Sequence, residues 1–227
     1  LIEEPMATAI GSGLAVELPQ GRMVVDIGGG TTEIAVVSLG GIVLNRSIRT
    51  AGDELDEAII AFARTKYGLV IGQPSAEEVK VAIGSAFQTP VKESKKSTST
   101  IQQQVIDSTT KNASLQSYVV RGRDMATGLP KSMKFSAAEV REALSPVVRQ
   151  ILTGITDTLE ETPPELVADI LQQGITLAGG TGQLRGLDQL IAEQTGMVVT
   201  QVKDPQLAVV RGAAKALENQ KLLDMVK

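Results

Sequence analysis

The apolar positions change period several times along the chain, and each change marks an element. Between Met23 and Val37 two apolar runs rich in β-branched residues flank Gly28-Gly29-Gly30. That pattern predicts a strand, a very tight turn and a returning strand. A third run, Ile42 to Ile48, follows Gly40-Gly41, so the three strands form a β-meander. Ahead of them, Pro5 precedes small helix formers and then Gly11 and Gly13, a short helix with a C-terminal stop. Beyond the meander, Leu55, Ala58, Ile59 and Phe62 fall at helical spacing, with Asp53 as the expected N-cap. Ser75-Ala76-Glu77-Glu78 reads as a capping box for a helix whose inner face is Val79, Ile83 and Phe87.

The second half repeats this alternation. Tyr118 to Asp124 and Lys131 to Phe135 read as paired strands around the turn Thr127-Gly128-Leu129-Pro130. Ser136-Ala137-Ala138-Glu139 is a second capping box and opens the longest helix, its core side running from Val140 to Leu159. Pro146 is expected to kink or break that helix. Thr162-Pro163-Pro164-Glu165 is a third cap, starting a helix through Leu171. A short buried strand then runs into Ala178-Gly179-Gly180-Thr181-Gly182, with a helix expected from about Gln183. Met197 to Thr200 is a last strand. Asp204-Pro205 caps a closing helix over Ala208 to Leu217. Strands alternating with helices give an α/β fold class.

One stretch breaks the pattern. From Gln88 to Ser117, 16 of 30 residues are Ser, Thr or Gln. So few apolar side chains cannot offset the entropy of ordering the segment, which predicts a flexible surface loop.

Composition narrows the function. The chain has 227 residues, 42% hydrophobic and 21% charged, enough for one large domain or two small ones. A net charge of -4 and 2% aromatics argue against a nucleic-acid partner, which calls for a basic face and stacking platforms. With no Cys and no His, disulfides, thiolate chemistry and imidazole-based zinc sites or triads are excluded. No apolar run reaches the ~18 residues of a membrane span, and the absence of cysteine fits the cytoplasm. The chain opens Leu1-Ile2-Glu3-Glu4-Pro5 without an initiator Met, and so reads as a piece of a longer protein.

Candidate chemistry sits at the two glycine-rich strand ends. The first turn begins with the Asp26 carboxylate and ends with the Thr31 and Thr32 hydroxyls. Its glycines let the backbone approach a ligand and turn N–H groups toward an anion. Taken alone, a triple glycine is more often only a hairpin turn. A carboxylate beside such a nest makes sense when a metal ion lies between it and a phosphate. The second turn, with Gly179, Gly180 and Thr181, joins a strand to a helix N-terminus, an anion-friendly geometry. Together they predict a cleft for a phosphorylated nucleotide with a divalent cation. Glu77 and Lys80, three residues apart, read on spacing alone as a solvated ion pair.

The runs Glu3-Glu4-Pro5-Met6, Val25-Asp26-Ile27-Gly28-Gly29-Gly30-Thr31-Thr32-Glu33 and Ala51-Gly52-Asp53-Glu54-Leu55-Asp56-Glu57-Ala58-Ile59 resemble the bacterial actin homologues of the MreB family. Arg121 to Asp124, Thr127 to Pro130, Thr162 to Leu166 and Leu184 to Asp188 add to the resemblance, which spans nearly the whole chain except 88–117. It corresponds to the C-terminal half of such a protein. It implies an actin-like (ribonuclease H-like) ATPase fold, second domain only, with a small α+β subdomain inserted. The larger subdomain would be residues 1–49 and 136–227, the smaller 50–135.

The resemblance also implies roles. Asp26 would hold Mg2+ through water, and the N–H groups of Gly28 to Thr31, with Thr32 alongside, would meet the phosphates of ATP. Glu4 would polarise the attacking water with Thr31 as its partner. Glu77 and Lys80 would contact the nucleoside, and Gly179, Gly180 and Thr181 would form the adenosine loop. The implied function is an ATP-binding cytoskeletal protein forming filaments that organise cell-wall synthesis and rod shape. Its partners would be other copies and cell-wall elongation proteins. The first phosphate hairpin and the membrane-binding element would belong to the N-terminal half, so the protein would be cytoplasmic and reach the membrane only through that half. A non-hydrolysing nucleotide-binding or assembly module is the alternative. Two features depart from the family: the polar stretch replaces a short turn, and Thr181 stands where many relatives have a third glycine.

Overall fold

The computed structural model describes residues 1–87 and 116–226. The expectation of a flexible loop over 88–117 therefore lies almost wholly outside the described residues. Strands β1 (Arg22–Ile27), β2 (Thr32–Ser38) and β3 (Gly41–Ile48) form the antiparallel meander. The parallel strands β7 (Ile175–Ala178) and β8 (Val199–Gln201) extend it on the other side of β1, in the order β3-β2-β1-β7-β8. Strands β4 (Leu69–Val70), β5 (Ser117–Asp124) and β6 (Pro130–Ser136) form a separate antiparallel sheet.

Burial explains why β1 reads as a continuous apolar run. Met23 to Ile27 are all buried because helices cover both faces of the sheet. Met23, Val25 and Ile27 join Ile151 and Ile155 of α4 (Ala137–Glu161) in the main core, which continues through Leu55, Ile59, Val79 and Phe135. Val24 points the other way, toward Met6, Ala9 and Ile10 of α1 (Glu4–Gly11). The two-residue period of a strand therefore puts Asp26 on the α1 face as well.

Helix α1 lies in backbone contact with α7 (Ala208–Glu218). A Cβ on Gly11 would sit 1.7 Å from the Ala208 carbonyl oxygen, and one on Gly212 would sit 1.7 Å from that of Ala7. Only glycine at both positions allows this approach.

Several helix starts differ from the sequence expectation. Helix α2 (Gly52–Tyr67) begins two residues early, with Ala51 rather than Asp53 at the N-cap, because the Glu54 carboxylate accepts from the Ala51 N–H at 2.8 Å. Asp53 is thus released from capping. Helix α3 (Gln73–Ile83) starts behind Gly72 with Pro74 in its first turn, and Ser75 lies inside it. Phe87 lies beyond the end of α3 and packs near Gly186. Pro146 stays within the unbroken α4 because it is exposed, so the carbonyl that loses its partner faces water. The Thr162 hydroxyl donates back to the Thr158 carbonyl at 2.6 Å, so it closes α4 rather than capping α5 (Pro164–Gln173). After β7 the chain makes a single 3-10 turn, Thr181–Gln183, and α6 (Leu187–Thr195) begins later, behind Gly186. Asp204 pairs with Arg211 instead of capping α7. Helix α8 (Gln220–Met225) and strand β4 carry no clear periodic signal because they are so short.

The Ser136 box forms as expected. The Glu139 N–H donates to the Ser136 hydroxyl, and the Ser136 N–H donates to the Glu139 carboxylate at 2.9 Å. Lys66 and the Tyr67 hydroxyl also reach Glu139, at 2.6 and 2.7 Å. Together with Ser136 they hold its carboxyl down at about 2.

Candidate functional site

The turn between β1 and β2 projects past the sheet end. The Gly28 N–H donates to the Thr31 carbonyl at 2.9 Å, closing the hairpin. The N–H groups of Gly29, Gly30 and Thr31 have no acceptor among the described residues, and all three residues are exposed. Three unspent donors on a two-strand turn make an anion-binding concavity. Behind it, Asp26 is 8% exposed and accepts from the Thr8 hydroxyl at 2.9 Å. Burial pushes its pKa up against that hydrogen bond, and the Glu4 and Glu33 carboxylates add to the rise. A buried carboxylate with one neutral donor and two acidic neighbours is a poor place for an uncompensated charge. A divalent ion beside it would neutralise the carboxylate and any phosphate on the turn, with water completing its shell, since no cluster of three acidic ligands forms among the described residues.

The start of α2 holds this turn in place. The N–H groups of Gly52 and Asp53 donate to the carbonyls of Gly28 and Gly29 at 3.2 and 2.8 Å. Across the sheet end, the Thr181 hydroxyl donates to the same Gly28 carbonyl at 2.7 Å. Gly179 makes this closure possible. At φ +83 a side chain would be strained, and a Cβ would lie 2.2 Å from the Ile27 carbonyl oxygen and 2.5 Å from Asp26 Oδ1.

Next to the two turns lies a cavity of about 750 Å³, within the range of small-molecule and cofactor sites. Gly28 and Gly29 of the first turn, Gly180 and Thr181 of the second, and Glu77 and Lys80 of α3 all line it. The Lys80 ammonium donates to the Gly52 carbonyl at 3.0 Å and to Asp56 Oδ2 at 2.9 Å. Asp56 is 3% exposed, and its second oxygen has no hydrogen-bond partner among the described residues. Burial raises its pKa, while Lys80 opposes the rise.

The sequence-expected residues therefore fall into two groups. Gly28, Gly29, Glu77, Lys80, Gly180 and Thr181 converge on the cavity. Asp26, Glu4, Gly30, Thr31 and Gly179 lie outside its lining, with Asp26 and Glu4 on the α1 side of the turn. Thr32 is a correction. It is fully buried, and its hydroxyl donates to the Thr50 carbonyl at 2.7 Å, so it pins the end of β3 and is out of a ligand's reach. Gly28 is also a correction as an N–H donor, since its N–H is spent on the turn. The solvated-pair reading of Glu77 and Lys80 fails too, because Lys80 pairs with buried Asp56 rather than with Glu77.

Sequence reading missed Asp53, Asp56 and Arg185, all of which line the cavity. Asp53 reads from the sequence as a helix cap, and Arg185 carries no local pattern. Asp56 left one signal, an acidic residue at a position where the helical period demands burial.

The sequence model of the MreB/Mbl protein family matches residues 1–102 and 93–225. The chain belongs to the MreB/Mbl family. It is 44% identical over 225 residues to the cell shape-determining protein MreB of Escherichia coli (strain K12), covering 99% of this chain and 57% of that protein. Against the cell shape-determining protein Mbl of Bacillus subtilis (strain 168) it is 39% identical over 219 residues, covering 96% and 59%. The chain thus spans somewhat over half the length of the curated MreB and Mbl relatives it matches. MreB 5 of Spiroplasma citri, crystallised bound to AMPPNP, superposes with a TM-score of 0.83 at 35% identity, over 96% of this chain and 59% of that one. The MamK double helical filament, at 24% identity and a TM-score of 0.67, shares the fold. These matches establish the actin-like fold. No helix among the described residues is long and apolar enough to cross a membrane.

Proposed function

We propose that this chain is the nucleotide-closing half of an ATP-binding, filament-forming cell-shape protein. The observation that carries the reading is the convergence of Gly28, Gly29, Glu77, Lys80, Gly180 and Thr181 on one cavity. The free donors of Gly29, Gly30 and Thr31 would take the terminal phosphates. Lys80 has one ammonium proton left after Gly52 and Asp56, and with Glu77 it would meet the ribose. The apolar and backbone surfaces of Gly180, Leu184 and Gly84 would flank the base. Asp26 would hold Mg2+ through water. The metal would supply charge neutralisation at the phosphates. Glu4 and Thr31 flank the Asp26 side and would orient the hydrolytic water.

In this proposal residues 1–49 and 136–227 form the larger subdomain and 50–135 the smaller, with the cavity between them. The crystallised relative bound to AMPPNP supports the ligand class, and the MamK filament supports self-association. Cell-wall elongation proteins are the remaining proposed partners, and the membrane surface would be reached only through the N-terminal half. The assembly reading is tested by fusing the chain to the N-terminal part of a relative and pelleting it with ATP and Mg2+. Sedimentation that depends on nucleotide supports the reading. No sedimentation at concentrations where the relative polymerises would favour a non-polymerising nucleotide-binding module.

A further inference from the structure

Helix α3 ends abruptly. Gly84 leaves the helix in an extended conformation, φ -63 and ψ 143, so the carbonyls of the last turn lose their intrahelical partners. One of them, Ala82, and the carbonyl of Gly84 itself are taken up by a single side chain that also lines the cavity. The Arg185 Nε donates to the Gly84 carbonyl at 3.0 Å, and its second terminal nitrogen donates to the Ala82 carbonyl at 2.6 Å. The backbone closes the same junction, with the Ala86 N–H donating to the Arg185 carbonyl at 2.8 Å and Ser85 bridging to Arg185 in parallel. Phe87 then packs so close to Gly186 that a Cβ there would lie 2.7 Å away.

We propose that Arg185 is a positioning residue that sets the distance between α3 and the Gly179–Thr181 turn. The placement favours this. Arg185 follows the 3-10 turn of the nucleoside loop by two residues. Its acceptors lie two and four residues beyond Lys80, the first about 3 Å further along the axis for a rise of ~1.5 Å per residue. A guanidinium at a helix C-terminus also meets the negative end of the dipole, and its fixed fork engages two carbonyls at once. Arg185 therefore holds the two walls of the cavity at one separation without spending a group on the ligand. The proposal rests on reading the cavity as a nucleotide site, and it extends that reading to how the site keeps its width.

The absence of cysteine allows clean labelling. Spin labels at the exposed positions Glu78→Cys on α3 and Glu193→Cys on α6 report the separation directly. A narrow distance distribution with Arg185, broad in Arg185→Ala and intermediate in Arg185→Lys, is the expected result. An unchanged distribution in Arg185→Ala overturns the proposal. Should the alanine variant fail to fold, Arg185→Lys decides alone, since a lysine keeps the charge but lacks the rigid fork that fixes both carbonyls at one spacing. Titration adds a second readout. Arg185→Ala should weaken ADP by about tenfold and leave pyrophosphate, which needs only the Gly28–Thr31 turn, unchanged. Equal weakening of both would reduce Arg185 to general structural support and overturn the positioning role. If the unaltered chain binds no ADP, the nucleotide reading fails, while the label distances still decide the role of Arg185.

Discussion

At the residue scale, Asp26 and Lys80 separate binding from stability. The Asp26 charge is buried with one neutral donor, and its raised pKa means that folding favours the protonated form. Its contribution to stability is therefore unfavourable above the ordinary Asp range and disappears as pH falls through the raised value. Asp26→Asn keeps the shape and the Thr8 contact and removes the charge. It should leave the ligand-free chain as stable or up to about 1 kcal/mol more stable in urea unfolding, while abolishing the Mg2+ dependence of nucleotide binding. Loss of stability with retained Mg2+ dependence would contradict the assignment. Lys80 is the opposite case. Lys80→Met strands the Asp56 carboxylate, whose second oxygen already lacks a partner. It should destabilise by about 3 kcal/mol, and the double variant with Asp56→Asn should recover most of that loss.

At the scale of elements, the closest packing is the crossing of α1 and α7. Gly212→Ala puts a methyl 1.7 Å from a backbone carbonyl, so the helices must separate. An overpacking loss of about 3 kcal/mol or more is expected, read as a fall in Tm of roughly 6–12 °C for a chain of this size. The Ser136–Glu139 box gives a pH signature. The Glu139 pKa is lowered to about 2, so its ion pair with Lys66 and its hydrogen bonds from Ser136 and Tyr67 contribute fully above the unfolded carboxyl value and are lost as pH falls toward 2. Glu139→Gln should be less stable at neutral pH and flatter than the unaltered chain between about pH 4.5 and 2 in acid unfolding.

Element types were legible where the period was long. The meander, the 25-residue α4 and α7 follow directly from spacing. Several helix starts were not, because a cap depends on which side chain wins a local contest. Glu54 took the Ala51 N–H, and Thr162 turned back to Thr158. The glycine turns were legible as turns. Their joining through Thr181 and Gly28 was not, because that hydrogen bond spans 153 residues. Resemblance, not spacing, placed Glu77 and Lys80 in the site. Only the fold reveals that Lys80 is pinned by Asp56 and that Thr32 is sealed inside.

At the scale of the whole molecule, one sheet end gathers the Gly28–Thr31 turn, the Gly179–Thr181 turn and α3 around one cavity among the described residues. The main core runs through both layers, so what positions the site is also what holds the fold. The most direct test is calorimetric titration of the 227-residue chain with ATP in the presence and absence of Mg2+. Saturable binding is predicted, with Kd above about 1 μM (weaker than about -8 kcal/mol), strengthened by Mg2+, lost in Lys80→Met and accompanied by negligible turnover. No saturable binding, or equal binding by Lys80→Met, would contradict the assignment of the cavity. Tighter binding with steady hydrolysis would contradict the view that the chain supplies only one side of the catalytic cleft.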